Sequence, residues 1–201
     1  VEVTNPADPE IVSVEPGPAS LWRGVKVYRD KAYSVSEGGG GIQVFDLSSI
    51  DAGIVTFVGS VTTGGIPVTH NLALDEDSGF LYRCGGNFTE GLRIYDLDAG
   101  PLPVFAGSWS TMFVHDCDVH TYTSGPYAGR EIAFCCGGFN GGGGLKGLRI
   151  LDVTDKANTV LVKEVFYPGA EHTHPCWLSE KLTSGYREHE RGGGPVPPGD
   201  T

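Results

Sequence analysis

Five residues able to bind a metal or move a proton fall within six positions, in the run His115-Asp116-Cys117-Asp118-Val119-His120. Neutral imidazoles are ordinary ligands for zinc, copper or iron, and carboxylates suit calcium as well. The spacing argues against one linear site. An extended strand rises roughly 3.3 Å per residue and sends alternate side chains to opposite faces. His115, Cys117 and Val119 then share one face, and Asp116, Asp118 and His120 the other. Three residues of one face span too far to surround one ion easily. Asp118 and His120, at i and i+2, are the pair here that could chelate. His172 and His174 in "HTH" carry the same geometric objection.

Other chemistries have weaker support. No Gly-x-Ser-x-Gly elbow occurs, and no Cys-x-x-Cys pair marks a zinc knuckle or a redox motif. The five cysteines are Cys84, Cys117, Cys135, Cys136 and Cys176. A disulfide among them is open and its partners cannot be deduced. Most sit inside strand-like runs, where small buried hydrophobes are the expected role. "DEDSG" (75–79) lacks the remaining ligands of a calcium loop and reads as a hairpin turn. The "GGGG" runs at 38–41 and 141–144 precede no helix, so they read as links between strands and not phosphate loops.

What must position these residues is a repeat. "GIQVFDLS" (41–48), "GLRIYDLD" (91–98) and "GLRILDVT" (147–154) each open on Gly, alternate apolar and polar residues, and reach Asp46, Asp96 or Asp152. Each Asp closes a strand and can accept from amides of the next turn. A further apolar strand follows each, and two strands precede it. The first of these is "WRGVKV", "THNLAL", "VHDCDV" and "THPCWL"; the second places Ser36, Cys84 and Cys136 at one position. Four strands over such a unit make one propeller blade.

The expected fold is therefore all-β, a propeller of four-stranded antiparallel blades. Three full blades span about 21–62, 69–110 and 114–167. Residues 1–15 supply the last two strands of a blade and 173–183 the first strand of another. The two ends could close a four-bladed ring. An open arc of a larger ring is preferred, because the end pieces lack a convincing second strand. Residues 1–183 form the blades, and 184–201, rich in Gly and Pro, form a disordered tail.

The repeat places Arg23, His70, His115 and His174 at one position, the start of each first strand. First strands line the channel of a propeller, so these four side chains would point to one channel mouth. His70, His115 and His174 are the candidate metal ligands, with Asn71 and Asp116 as supporting partners. Asp116, His120 and His172 are further candidate ligands, and Arg23 and Asn71 line the channel. The competing role is structural, with these groups hydrogen-bonding channel water or a neighbouring blade. Arg23 in place of His breaks a symmetrical ring.

Composition narrows the classes further. The formal net charge is −11, which supplies no basic footprint for nucleic acid. No apolar run approaches the roughly 20 residues that cross a bilayer. The expected cofactors are none, or one divalent ion, a transition metal or calcium.

The strand Gly-Leu-Arg-Ile-Tyr-Asp (91–96) resembles the LVIVD repeat. Residues 21–48 ("LWRGVKVYRDKAYSVSEGGGGIQVFDLS"), "THNLALDEDSGFLY", "VHDCDVHTYTSGPYAGREIAF", "LRILDVTDKAN" and "HTHPCWLSE", in that order, are similar to the choice-of-anchor B family. The resemblance covers about residues 1–183. It implies a secreted or surface-attached bacterial β-propeller protein, longer than this chain, so that the chain is a piece of it. Two departures are Gly24, where the family is expected to carry Asp, and the sequence after 183. The resemblance implies an extracellular, cell-surface or periplasmic location. The expected function is noncatalytic, with propeller loops that bind a protein or glycan and open blade edges that self-associate. The alternative is a metal-dependent, oxidase-like enzyme with a His-lined channel.

Overall fold

A computed structural model describes residues 1–86, 90–138, 147–166, 173–178 and 185–189; for His174–Trp177 and Gly185–His189 it describes the backbone alone. The first sheet comprises β1 (Arg23–Tyr28), β2 (Lys31–Ser36), β3 (Ile42–Asp46) and β4 (Thr56–Val61). The second comprises β5 (Asn71–Asp75), β6 (Phe80–Cys84), β7 (Leu92–Asp96) and β8 (Val104–Trp109). The third comprises β9 (Asp116–Thr121), β10 (Glu131–Gly137), β11 (Gly147–Asp152) and β12 (Val160–Val165). Each is antiparallel, with its strands in sequence order. A two-stranded sheet follows, β13 (Thr173–Leu178) with β14 (Gly185–His189). The chain is an all-β propeller of three full blades and a partial one. Among the described residues, no helix is long and apolar enough to cross a membrane.

The repeated Asp ends its strand by the same bond in each blade. Asp46 Oδ1 accepts from the Ser48 amide at 2.7 Å, Asp96 from Asp98 at 2.8 Å and Asp152 from Thr154 at 3.1 Å. The ladder between third and fourth strands also slips at the same place, between Val44/Phe45, Ile94/Tyr95 and Ile150/Leu151. A bulge thus recurs at one position in each blade, where it raises the local twist of the strand pair.

Register fixes which residues correspond. Asp46, Asp96 and Asp152 face Lys31, Phe80 and Ile132. Counting on from these, Val35, Cys84 and Cys136 are equivalent, and their first-strand partners are Gly24, Asn71 and Asp116. Arg23, His70 and His115 each stand one residue earlier, as the repeat predicts. Ser36 is displaced by one: Val35, not Ser36, holds the place of Cys84 and Cys136. All three are buried at 0 % exposure, so the apolar requirement of the site explains the register that the polar Ser36 concealed.

Among the described residues, two cores lie between the blades. Tyr33, Val35, Ile42 and Val44 of the first blade pack on Leu72, Leu81, Tyr95 and Leu97 of the second. The other face of the second blade, with Tyr82, Cys84, Leu92 and Ile94, packs on Val119, Ala133, Cys135 and Leu151 of the third. Alternation along β6 sends Leu81 to one core and Tyr82 to the other. Each such burial contributes roughly 1.5–3 kcal/mol.

Two expectations need correction. Residues 1–15 supply no blade strands; they form a single Glu2–Glu10 bridge. Pro6, Pro9 and Pro16 lack the amide donors that a ladder requires. Among the described residues, no strand pairing joins the two ends, as the four-bladed alternative would require. The predicted tail from 184 begins instead with β14, whose alternating Tyr186, Arg187 and Glu188 suit an edge strand. Residues 190–201 lie outside the described residues, as does the 141–144 glycine run.

Candidate functional site

The first strands of successive blades stand side by side, β1 against β5, β5 against β9 and β9 against β13. Their starting residues therefore meet at one end of the array. The centroids of the His70 and His115 rings lie 4.0 Å apart, with 39° between the planes. His115 Nδ1 lies 2.6 Å from Asp116 Oδ2, and Asp116 Oδ1 accepts from Asn71 Nδ2 at 2.5 Å. Asn71 Oδ1 in turn accepts from the Leu72 amide at 2.8 Å. His70 Nδ1 lies 2.7 Å from Glu37 Oε1 of the first blade. One polar seam thus runs across three blades.

Local sequence makes this seam possible. A Cβ on Gly85 would meet His70 Cβ, and one on Gly138 would meet His115 Cβ. Gly85 also holds φ at +67°, where other residues are strained. Gly24 holds the position of Asn71 and Asp116 in the first blade. A Cβ there would stand 2.9 Å from Asn71 Oδ1, so its absence lets β1 approach β5 closely. The segment leading to His70 is fastened by the buried Arg83. Its Nε donates to Thr69 Oγ1 at 2.8 Å, and its terminal nitrogens donate to Tyr95 Oη and to the Ile66 and Val68 carbonyls.

Burial alone would raise the Asp116 carboxyl. The hydrogen bond from His115, its charge and the Asn71 amide outweigh that and hold Asp116 below the usual carboxylate value. His70, His115 and Asp116 offer ligand atoms all within 4.8 Å of one another. Donors about 2.1 Å from a tetrahedral ion stand about 3.4 Å apart, so modest side-chain rotation would suffice to converge them. Each Nδ1 already meets a carboxylate, the arrangement that orients an imidazole beside a metal or within a purely structural network.

The structure sorts the remaining candidates. Asp116 does not face away from His115, as strict alternation predicts. His115 precedes β9 and escapes the alternation of that strand. Asp118 and His120 do share a face, with Oδ2 and Nε2 3.2 Å apart, outside the seam. The Asp118 hydrogen bond raises the His120 pKa, against the opposing effect of burial. Arg23 turns to the Pro18 carbonyl and lines a 560 Å³ groove with Val12, Val25 and Phe45. Trp22, not Arg23, stands beside His70, with its ring 6.0 Å from the imidazole. His172 and the His174 side chain lie outside the described residues.

Glu37 and Trp22 escaped the sequence reading. Glu37 carried one signal: it interrupts the repeat where the register places Gly86 and Gly138 in the next two blades. Trp22 carried none beyond its place beside Arg23.

No family model matches the chain, and no curated protein matches it. A solved structure described as the crystal structure of a nidogen/laminin complex contains a chain of similar fold. The TM-score is 0.52 at 10 % identity, over 85 % of this chain and 57 % of that one. At this identity the likeness concerns the propeller fold alone, and the present chain spans little more than half of its neighbour.

Proposed function

We propose that this chain is a noncatalytic propeller domain of an extracellular, cell-surface or periplasmic protein, and that the mouth over the His70–His115 seam binds a protein partner. The observation that carries the reading is Trp22, 58 % exposed beside Leu21 at 94 %, next to His70 and its Glu37 partner. An exposed indole beside oriented polar groups has the composition of an interface hot spot. The net charge of −11 favours a basic partner. The resemblance to LVIVD and choice-of-anchor B proteins supports the location, and the nidogen/laminin neighbour is a chain from a protein–protein complex. Self-association belongs to the same proposal, supported by Val25 and Val27 of β1, which are 59 % and 48 % exposed.

The test is a binding screen of the purified chain on arrays of extracellular proteins and of glycans. Saturable protein binding, weakened at least about tenfold by Trp22→Ala, is expected for a hot-spot residue. Binding to glycans alone, or protein binding indifferent to Trp22→Ala, contradicts the proposal.

A second reading, a metal-dependent oxidase-like enzyme, is favoured by the convergence of His70, His115 and Asp116. These residues would hold the ion, which would supply Lewis-acid or redox chemistry. Oxygen uptake that requires one equivalent of added iron or copper, and that His70→Ala and His115→Ala each abolish, would support it.

A further inference from the structure

Three thiols converge between the second and third blades. Cys84 ends β6, Cys117 lies in β9, and Cys135 of β10 is the direct cross-strand partner of Cys117. The Cys84 thiol donates to Cys117 Sγ at 3.0 Å, about 1 Å beyond the length of a disulfide bond. Cys84 and Cys135 are fully buried, while Cys117 keeps partial solvent access.

The geometry points to Cys84 and Cys117 as a disulfide pair, closed when the chain folds in an oxidising medium and stapling the second blade to the third. Among the described residues, these two sheets share no ladder, so their junction depends on side-chain packing and hydrogen bonds. Cys117 and Cys135 are already joined through their own ladder. The Cys84–Cys117 link closes a loop of 33 residues, long enough to restrict the unfolded chain substantially.

Burial pushes both thiols well above the usual cysteine value, so closure belongs to folding, before the core excludes the oxidant. The oxidant is a small-molecule disulfide such as glutathione disulfide. The Cys117 thiolate attacks one of its sulfurs and expels a glutathione thiolate. The Cys84 thiolate then attacks Cys117 Sγ and expels the second. Two protein thiols lose two protons and two electrons, and one glutathione disulfide becomes two glutathione molecules. Such bonds persist in oxidising compartments. The inference does not depend on the partner-binding reading.

The experiment is refolding of the chain in a glutathione redox buffer or in dithiothreitol, followed by alkylation, non-reducing peptide mapping and thermal unfolding. We expect a linked Cys84–Cys117 peptide. The oxidised protein should melt about 5–10 °C higher than the reduced one, with the gain absent from Cys117→Ala. The peptide map of the unmutated chain decides the matter even if a variant fails to fold. Oxidised, folded protein with both Cys84 and Cys117 alkylated, or with Cys117 linked to Cys135 or Cys176, overturns the inference.

Discussion

His70 and His115 open equivalent strands of neighbouring blades, and their rings lie with centroids 4.0 Å apart. Separate carboxylates hold the two rings, Glu37 for His70 and Asp116 for His115. The pair joins the second and third blades where β5 and β9 run side by side.

Asp116 should be the most costly residue of this seam to remove. It is 2 % exposed and bonds both His115 and Asn71. Asp116→Ala removes the acceptor that the buried His115 and the half-buried Asn71 share, and the loss of these hydrogen bonds should cost about 1–3 kcal/mol. Urea unfolding should show a clearly lowered midpoint, with Asn71→Ala lowered less. A wild-type midpoint for Asp116→Ala would contradict the seam.

Gly138→Ala tests the close approach of backbone to His115. The added methyl collides with the His115 side chain and must displace it. A loss of about 1–3 kcal/mol is expected, the ordinary cost of overpacking. A neutral effect in the same unfolding assay would place His115 elsewhere.

Much of this architecture was legible in the repeat. Asp46, Asp96 and Asp152 recur at the ends of alternating strands, and those two features set the blades and the equivalence of Arg23, His70 and His115. The step from Ser36 to Val35 was hidden, because a polar residue beside glycines reads equally well in either register. Asp116 departs from the expected alternation because the period-two rule holds only inside a regular ladder, and His115 stands before β9. Arg23 was placed by its position, but a long flexible side chain can turn to a carbonyl such as that of Pro18. Tertiary pairs such as His70–Glu37 have no local pattern at all.

The ion pair of Glu131 and Lys156 gives an independent test of the same blade junction. Their side chains are 5 % and 11 % exposed, with Oε2 and Nζ 2.5 Å apart. Glu131 also accepts from Ser78 of the second blade at 2.9 Å and from Tyr82. Glu131→Ala removes the carboxylate partner of the Lys156 ammonium, which keeps the Thr154 carbonyl and the Phe80 ring, together with the acceptor for Ser78 and Tyr82, and should cost about 2–4 kcal/mol. A loss below about 1 kcal/mol, the range of exposed pairs, would contradict this burial.

His120 predicts a pH dependence. The Asp118 carboxylate raises its folded pKa above the unfolded value of about 6.5. The resulting stability is fully present below that unfolded value and is lost as pH rises through the folded one. The melting temperature of wild type should exceed that of His120→Gln most at about pH 5.5, and the gap should close by about pH 9. A gap that widens with rising pH would reverse the assigned sign.

Elemental analysis tests most directly whether the His70–His115–Asp116 seam is a hydrogen-bonded floor beneath the proposed partner-binding mouth or a metal site. The purified chain is equilibrated with zinc, copper or iron, freed of loosely held ions, and measured for metal per chain. A hydrogen-bonded floor should retain far less than one equivalent, with unfolding unchanged by chelator. One equivalent of a transition metal, retained by wild type and lost in both His70→Ala and His115→Ala, would contradict it and select the metal-dependent enzyme.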